Sequence, residues 1–123
     1  MNMVSIINQY LSVGRDFTFA WSMFLDAFYV AEKVEKIEMI NESADRLSLD
    51  DCTLALIASA VHKLARESGL QIPVWVFDSK YYLKDPYFVG NPPDLLRLVY
   101  LAESPAEFKM RNVFSSENCL SRV

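Results

Sequence analysis

Residues 69–90, GLQIPVWVFDSKYYLKDPYFVG, decide how this chain is to be read. Gly69 is a strong helix stop, because glycine enters the left-handed conformation that closes a helix without a Cβ penalty. Pro73 and Pro86 each remove a backbone donor, and Pro86 excludes a helix through Lys84 and Asp85. Trp75, Phe77, Tyr81 and Tyr82 stand between the prolines, and Tyr87 and Phe88 follow. The stretch is expected to be an irregular or extended aromatic connector with helical halves on either side. Asp78, Ser79 and Lys80 predict a turn, 80–83 a single helical turn, and 74–77 a few residues of β structure. Trp75 and Phe77 are expected in the core. The tyrosines are the better candidates for function, since tyrosine favours places where one end is dry and the other wet.

Immediately upstream, Leu54, Ile57, Ala58, Val61, Leu64 and Ala65 recur at helical spacing and predict a helix ending near 68. Ser48 is its expected cap, with Asp50 and Asp51 in a first turn that favours anions. Downstream, Pro92 and Pro93 open a helix over 93–103. Leu95, Leu96, Leu98, Val99, Leu101 and Ala102 are expected inside. A buried strand over 95–101 is the alternative, because so continuous an apolar run has no diagnostic period. Ser104, Pro105 and Glu107 read as a capping box for a last short helix to about 112. Phe114, Leu120 and Val123 are the expected docking residues of the tail.

The first half carries three further helical patterns. Val4, Ile6, Ile7, Tyr10 and Leu11 predict a helix over 3–13 that Gly14 ends. Asp16 caps a second segment over 17–31. Its Phe17, Trp21, Phe24, Leu25 and Phe28 line one side, and Phe19, Met23, Ala27 and Val30 another. A helix apolar on most of its circumference must be central or covered by a partner chain. Residues 31–45 are charged and helical, and with no glycine or proline at the junction, one long helix over 17–45 and two separate helices are both open. The resulting expectation is a compact all-α single domain over 1–123, with five or six helices, one irregular aromatic-rich segment and minor β.

Composition narrows the function classes. The 123 residues are 52% hydrophobic and 23% charged, which supports one real core and argues against disorder. Net charge is −4, and the imbalance is concentrated: residues 1–61 carry 4 basic and 9 acidic side chains, residues 62–123 carry 8 and 7. Direct nucleic-acid binding is not expected of so acidic a chain. No basic, apolar leader precedes residue 14 and no apolar run reaches membrane length, so a cytoplasmic protein with no membrane contact is expected. Cys52 and Cys119 allow one disulfide that sequence cannot demonstrate, and reduced thiols are the expectation. One histidine and no CxxC pair leave no expected metal or cofactor.

No phosphate-binding glycine loop, HExxH or GxSxG is present. His62 is either a general base near Ser59 or a boundary histidine that packs its ring. Asp26 and Tyr29 form a polar handle on the second segment, where a carboxylate suits an arginine such as Arg111. Asp26, His62, Tyr82 and Arg111 are therefore the polar residues of one alternative, a small-molecule binder or enzyme with a pocket between the second helix and 69–90. Lys109, Arg111 and Asn112 close the last helix, where cations complement its dipole.

Residues 56–123 resemble a domain found in many uncharacterised bacterial proteins. The resemblance is carried by Pro73 and Trp75; by Tyr82, Leu83, Pro86 and Phe88; by Glu103, Ser104, Pro105, Phe108, Arg111, Asn112 and Phe114; and by Asn118, Leu120 and Arg122. Such domains often follow a helix-turn-helix module and include antitoxin-like regulators. No helix-turn-helix of the usual kind is evident in residues 1–50, so DNA binding does not carry over. What the resemblance implies is a regulatory or partner-binding domain, with Arg111, Asn112 and Arg122 as anchors or contacts. The leading expectation is thus a non-enzymatic interaction domain, antitoxin-like, that binds a protein partner such as the product of an adjacent gene. Homo-oligomerisation is a further expectation. Trp75, Tyr81, Tyr82, Tyr87, Arg111 and Asn112 are its candidate binding residues.

Overall fold

A computed structural model describes residues 2–116 and 120. Among these the chain is mostly helical, with six α-helices and a single two-stranded sheet, as an all-α reading with minor β requires. Contacts divide it into two compact units, Met1–Ser48 and Leu49–Ser121.

The first unit begins with α1, Met3–Ser12, which Asn2 and Ser5 close in a reciprocal capping box. Gly14, at φ +87°, makes the turn that no β-carbon residue adopts cheaply. Asp16 then caps α2, Phe17–Val30, its Oδ1 accepting from the Phe19 N–H at 2.9 Å. The helices pack through Met3, Ile6 and Ile7 on one and Ala20, Phe24 and Phe28 on the other, and the Tyr10 ring meets Phe19 edge-on at 5.3 Å. The chain does not run on as one helix. Ala31 and Glu32 are both extended, and α3, Lys33–Ile40, starts afresh without a side-chain cap. Burial rather than a local breaker decides this, since Met39 and Ile40 at the end of α3 are buried. A 3₁₀ turn, Ala44–Arg46, completes the unit.

The second unit is built on α4, Asp51–Glu67. Its cap is Asp50 rather than Ser48: Asp50 accepts from both the N–H and the hydroxyl of Thr53, at 3.3 and 2.6 Å. These bonds hold the Asp50 carboxyl below its ordinary range. Nine of the seventeen α4 residues are buried, which makes it the core helix. Gly69, at φ +68°, ends it.

The connector then packs on α4 as two 3₁₀ turns, Val74–Phe77 and Ser79–Tyr81. The β structure expected at 74–77 is therefore absent there. It lies later, in β1, Tyr87–Phe88, which pairs in parallel with β2, Val113–Phe114. The pairing answers where the connector's backbone donors go. Leu83 N–H donates to Arg111 O, Tyr87 N–H to Asn112 O and Val89 N–H to Phe114 O, each at 3.0–3.1 Å. The Phe88 and Phe114 rings stack over this pair at 5.2 Å.

Between the strands lie α5, Asp94–Glu103, and α6, Ala106–Lys109. The run 95–101 is helix, not strand. The expected capping box does not form. The Ser104 hydroxyl instead lies 2.6 Å from Tyr100 O and accepts from Ser115 N–H at 2.8 Å, tying the end of α5 to the chain beyond β2. Glu107 turns away to an arginine of α4. Leu120 is buried, as expected of a docking residue, whereas Asn118, Cys119, Arg122 and Val123 lie outside the described residues.

Candidate functional site

Two features of the second unit concentrate what chemistry it has. The first is a polar cluster where α4, α6 and the first 3₁₀ turn meet. One helical turn apart on α4, His62 and Arg66 face α6. Arg66 makes a bidentate pair with Glu107, 2.6 Å from Nε to Oε2 and 3.1 Å from Nη2 to Oε1. Burial alone would raise the Glu107 carboxyl, but the bonds from Arg66 and from backbone, with the Arg66 and His62 charges, bring it below the usual range. The same pair pushes the Arg66 guanidinium up.

Arg111 is wholly buried at the centre of this cluster. Its Nη2 and Nε donate to Val76 O at 2.9 and 3.3 Å, and its Nη1 donates to Glu107 O at 2.8 Å. The guanidinium also sits 5.1 Å from the centre of the Tyr82 ring and 5.9 Å from that of Phe77. Burial lowers its proton affinity, while Tyr82 and Glu107 act the other way. An arginine keeps its proton in proteins regardless. Its five-donor fork therefore pins the connector to α6 through backbone carbonyls, which is a structural task.

His62 is 9% exposed, and its ring meets Phe77 edge-on at 5.1 Å. Its buried Nδ1 has no hydrogen-bond partner among the described residues. Burial, with Arg111 and Arg66 nearby, holds the imidazole below its ordinary value against the opposing pull of Glu107. The Ser59 hydroxyl is committed to Ala55 O at 2.8 Å, so no serine–histidine pair forms.

The structure thus brings His62 and Arg111 to the Phe77 ring and Tyr82 to Arg111, while Asp26 is an exposed residue of α2 in the first unit. Asn112 closes the turn after α6 in the left-handed region, at φ 64°, with its amide 3.4 Å from both Leu83 O and Lys84 O. Tyr81 is wholly buried against the half-buried Trp75, rings edge-on at 5.7 Å, so its side chain belongs to the core. Phe77, expected in the core, is 47% exposed, and Val76 is buried in its place. Tyr87 is half-buried on β1, where burial, then Cys52 and Asp50, raises its phenol.

The second feature is α5. Leu95, Leu98 and Leu101 are 78%, 64% and 44% exposed, Leu96 and Val99 line their flanks, and no residue of the helix is buried. The expectation that these side chains lie inside is overturned. Two prolines and the Ser104 tether fix a ten-residue helix that, among the described residues, packs mainly against β2. Arg97 is held at its base, donating to Pro92 O at 3.0 Å and Asn91 Oδ1 at 2.6 Å. The sequence signal was present: LLRLVYL is apolar on more sides than one short helix can bury. The Arg66–Glu107 pair, 41 positions apart, had no such signal.

Among the described residues no group of histidine, cysteine, aspartate and glutamate has the arrangement to hold a metal ion, and no helix is long and apolar enough to cross a membrane. No family model, curated protein or solved structure matches the chain.

Proposed function

We propose that the chain is a non-enzymatic protein-interaction domain, regulatory and antitoxin-like in kind, and that α5 is its contact surface. The observation that carries this is the outward apolar face of Leu95, Leu98 and Leu101. Burying one leucine side chain is worth about 1.5–3 kcal/mol, and contiguous exposed apolar patches mark interaction sites on soluble proteins. Three polar residues that could serve an enzyme are engaged elsewhere: Ser59 on Ala55, Arg111 on two carbonyls, Glu107 on Arg66.

The test is co-expression of the tagged chain with the product of an adjacent gene. Wild type should retain that product through purification, and Leu95→Glu/Leu98→Glu should lose it while keeping its helical circular dichroism. Equal retention by both, or by neither, would remove the proposal.

A further inference from the structure

The first unit carries a surface of different character. α2 and α3 meet at the extended pair Ala31 and Glu32, and the corner encloses an open cleft of about 230 Å³. Ala27, Val30, Ala31 and Met39 supply its apolar lining, and Glu35 and Glu38 stand on α3 at its edge. Val30, 85% exposed, forms its lip, and Val34, 69% exposed, lies beside Glu38 on the outer side of α3.

Three properties restrict what this cleft can take. It is smaller than the roughly 300–1,000 Å³ of sites that engulf a drug-sized ligand. It has room for one or two aliphatic side chains. Its charge is one-sided: residues 1–48 carry 4 basic and 7 acidic side chains. Lys36 lies over the Phe28 ring at 5.2 Å, Arg46 pairs with Glu42, and neither Glu35 nor Glu38 makes an ion pair among the described residues. Two unpaired carboxylates at the edge of an apolar cleft repel a phosphate backbone or an anionic lipid surface and attract a cation.

We infer that the α2–α3 cleft seats a basic amphipathic segment of a partner protein, one or two aliphatic side chains entering the cleft and lysine or arginine one helical turn away meeting Glu35 and Glu38. This deepens the protein-partner reading and rests on it, but through residues of the first unit rather than those of α5. Complementary charge of this kind sets the on-rate and the choice of partner, while the apolar anchors set the residence time. An amphipathic helix laid into an apolar groove, with anchors at helical spacing, is the matching mode of recognition.

The experiment titrates the full chain against two fluorescent amphipathic peptides of one design, leucine–lysine and leucine–glutamate, reading anisotropy at low and physiological salt. The leucine–lysine peptide should bind, and its affinity should fall as salt rises. The leucine–glutamate peptide should not bind. Glu35→Gln/Glu38→Gln should weaken the lysine peptide about tenfold, as should the charge-neutral Val30→Ser through loss of the anchor site. All of these positions are exposed or at the cleft edge, so the variants should fold, which their circular dichroism checks. No binding of the lysine peptide, equal binding by the Glu35→Gln/Glu38→Gln variant, or binding of both peptides would overturn the inference. So would loss of binding in Leu95→Glu/Leu98→Glu, which would move the contact to α5. Cleft binding that persists while α5-dependent retention of the adjacent product fails would sink the α5 proposal alone.

Discussion

Arg111 shows how one side chain can hold a segment that has no regular structure of its own. Its fork satisfies the carbonyls of Val76 and Glu107 in the dry interior. Lysine has no planar fork to reproduce those bonds, and a buried acceptor left without a donor costs about 1–3 kcal/mol. Arg111→Lys should therefore lower unfolding stability by about 2 kcal/mol or more, read as a shift of the urea midpoint. His62 carries the second prediction at this scale. An unfolded chain takes up the imidazole proton near the ordinary value of 6.5, and the folded one only at lower pH. Between those points the unfolded state binds more protons, so stability is full above about pH 6.5 and falls as pH drops through that window. Glu107, with its lowered carboxyl, gives a second and separate loss at more acid pH, below its ordinary 4.5. Urea unfolding of His62→Gln at pH 7.5 and pH 5.5 should show a smaller difference than wild type, and further unfolding curves below pH 4.5 should still show the Glu107 loss.

At the scale of elements, caps and left-handed turns set where helices stop, and they were partly legible. Asn2 and Asp16 lie in the sequence as ordinary caps, and Gly14 and Gly69 as ordinary stops. Ser48 and Asp50 both precede the same apolar pattern, and only geometry shows that the Asp50 carboxylate reaches Thr53. Asp50→Ala should cost about 1 kcal/mol in thermal or urea unfolding, and Ser48→Ala should be near neutral. Asn112 closes the α6 turn so that β2 can pair with β1. Asn112→Val, which places a β-branched residue at φ 64°, should cost about 1–2 kcal/mol, whereas Asn112→Gly should keep most of the stability. A larger loss in the glycine variant would mean that the amide bonds to Leu83 and Lys84 matter more than the turn.

At the scale of the whole molecule, the informative quantity is apolar surface left outside. A leucine-to-glutamate exchange inside a core is among the most damaging of substitutions, yet Leu95→Glu and Leu98→Glu should each change the melting free energy by no more than about 0.5 kcal/mol, because both positions face water. A cooperative transition shifted by several degrees would show that α5 is buried in solution. Local rules written in the chain were enough to predict a helical fold, a core helix ending near 68, the stop at Gly69 and an irregular connector, because caps, glycine stops, prolines and a 3.6-residue apolar period act over a few residues. Those rules do not say which of two apolar faces is covered. That Tyr81 and Arg111 are interior, that Phe77 and the leucines of α5 are exterior, and that Tyr87 pairs beside Val113 were decided by contacts between residues far apart in sequence. Burial depends on what arrives from elsewhere in the chain, and the tertiary structure alone brings Val76 and Glu107 to one guanidinium and, among the described residues, leaves the leucines of α5 exposed.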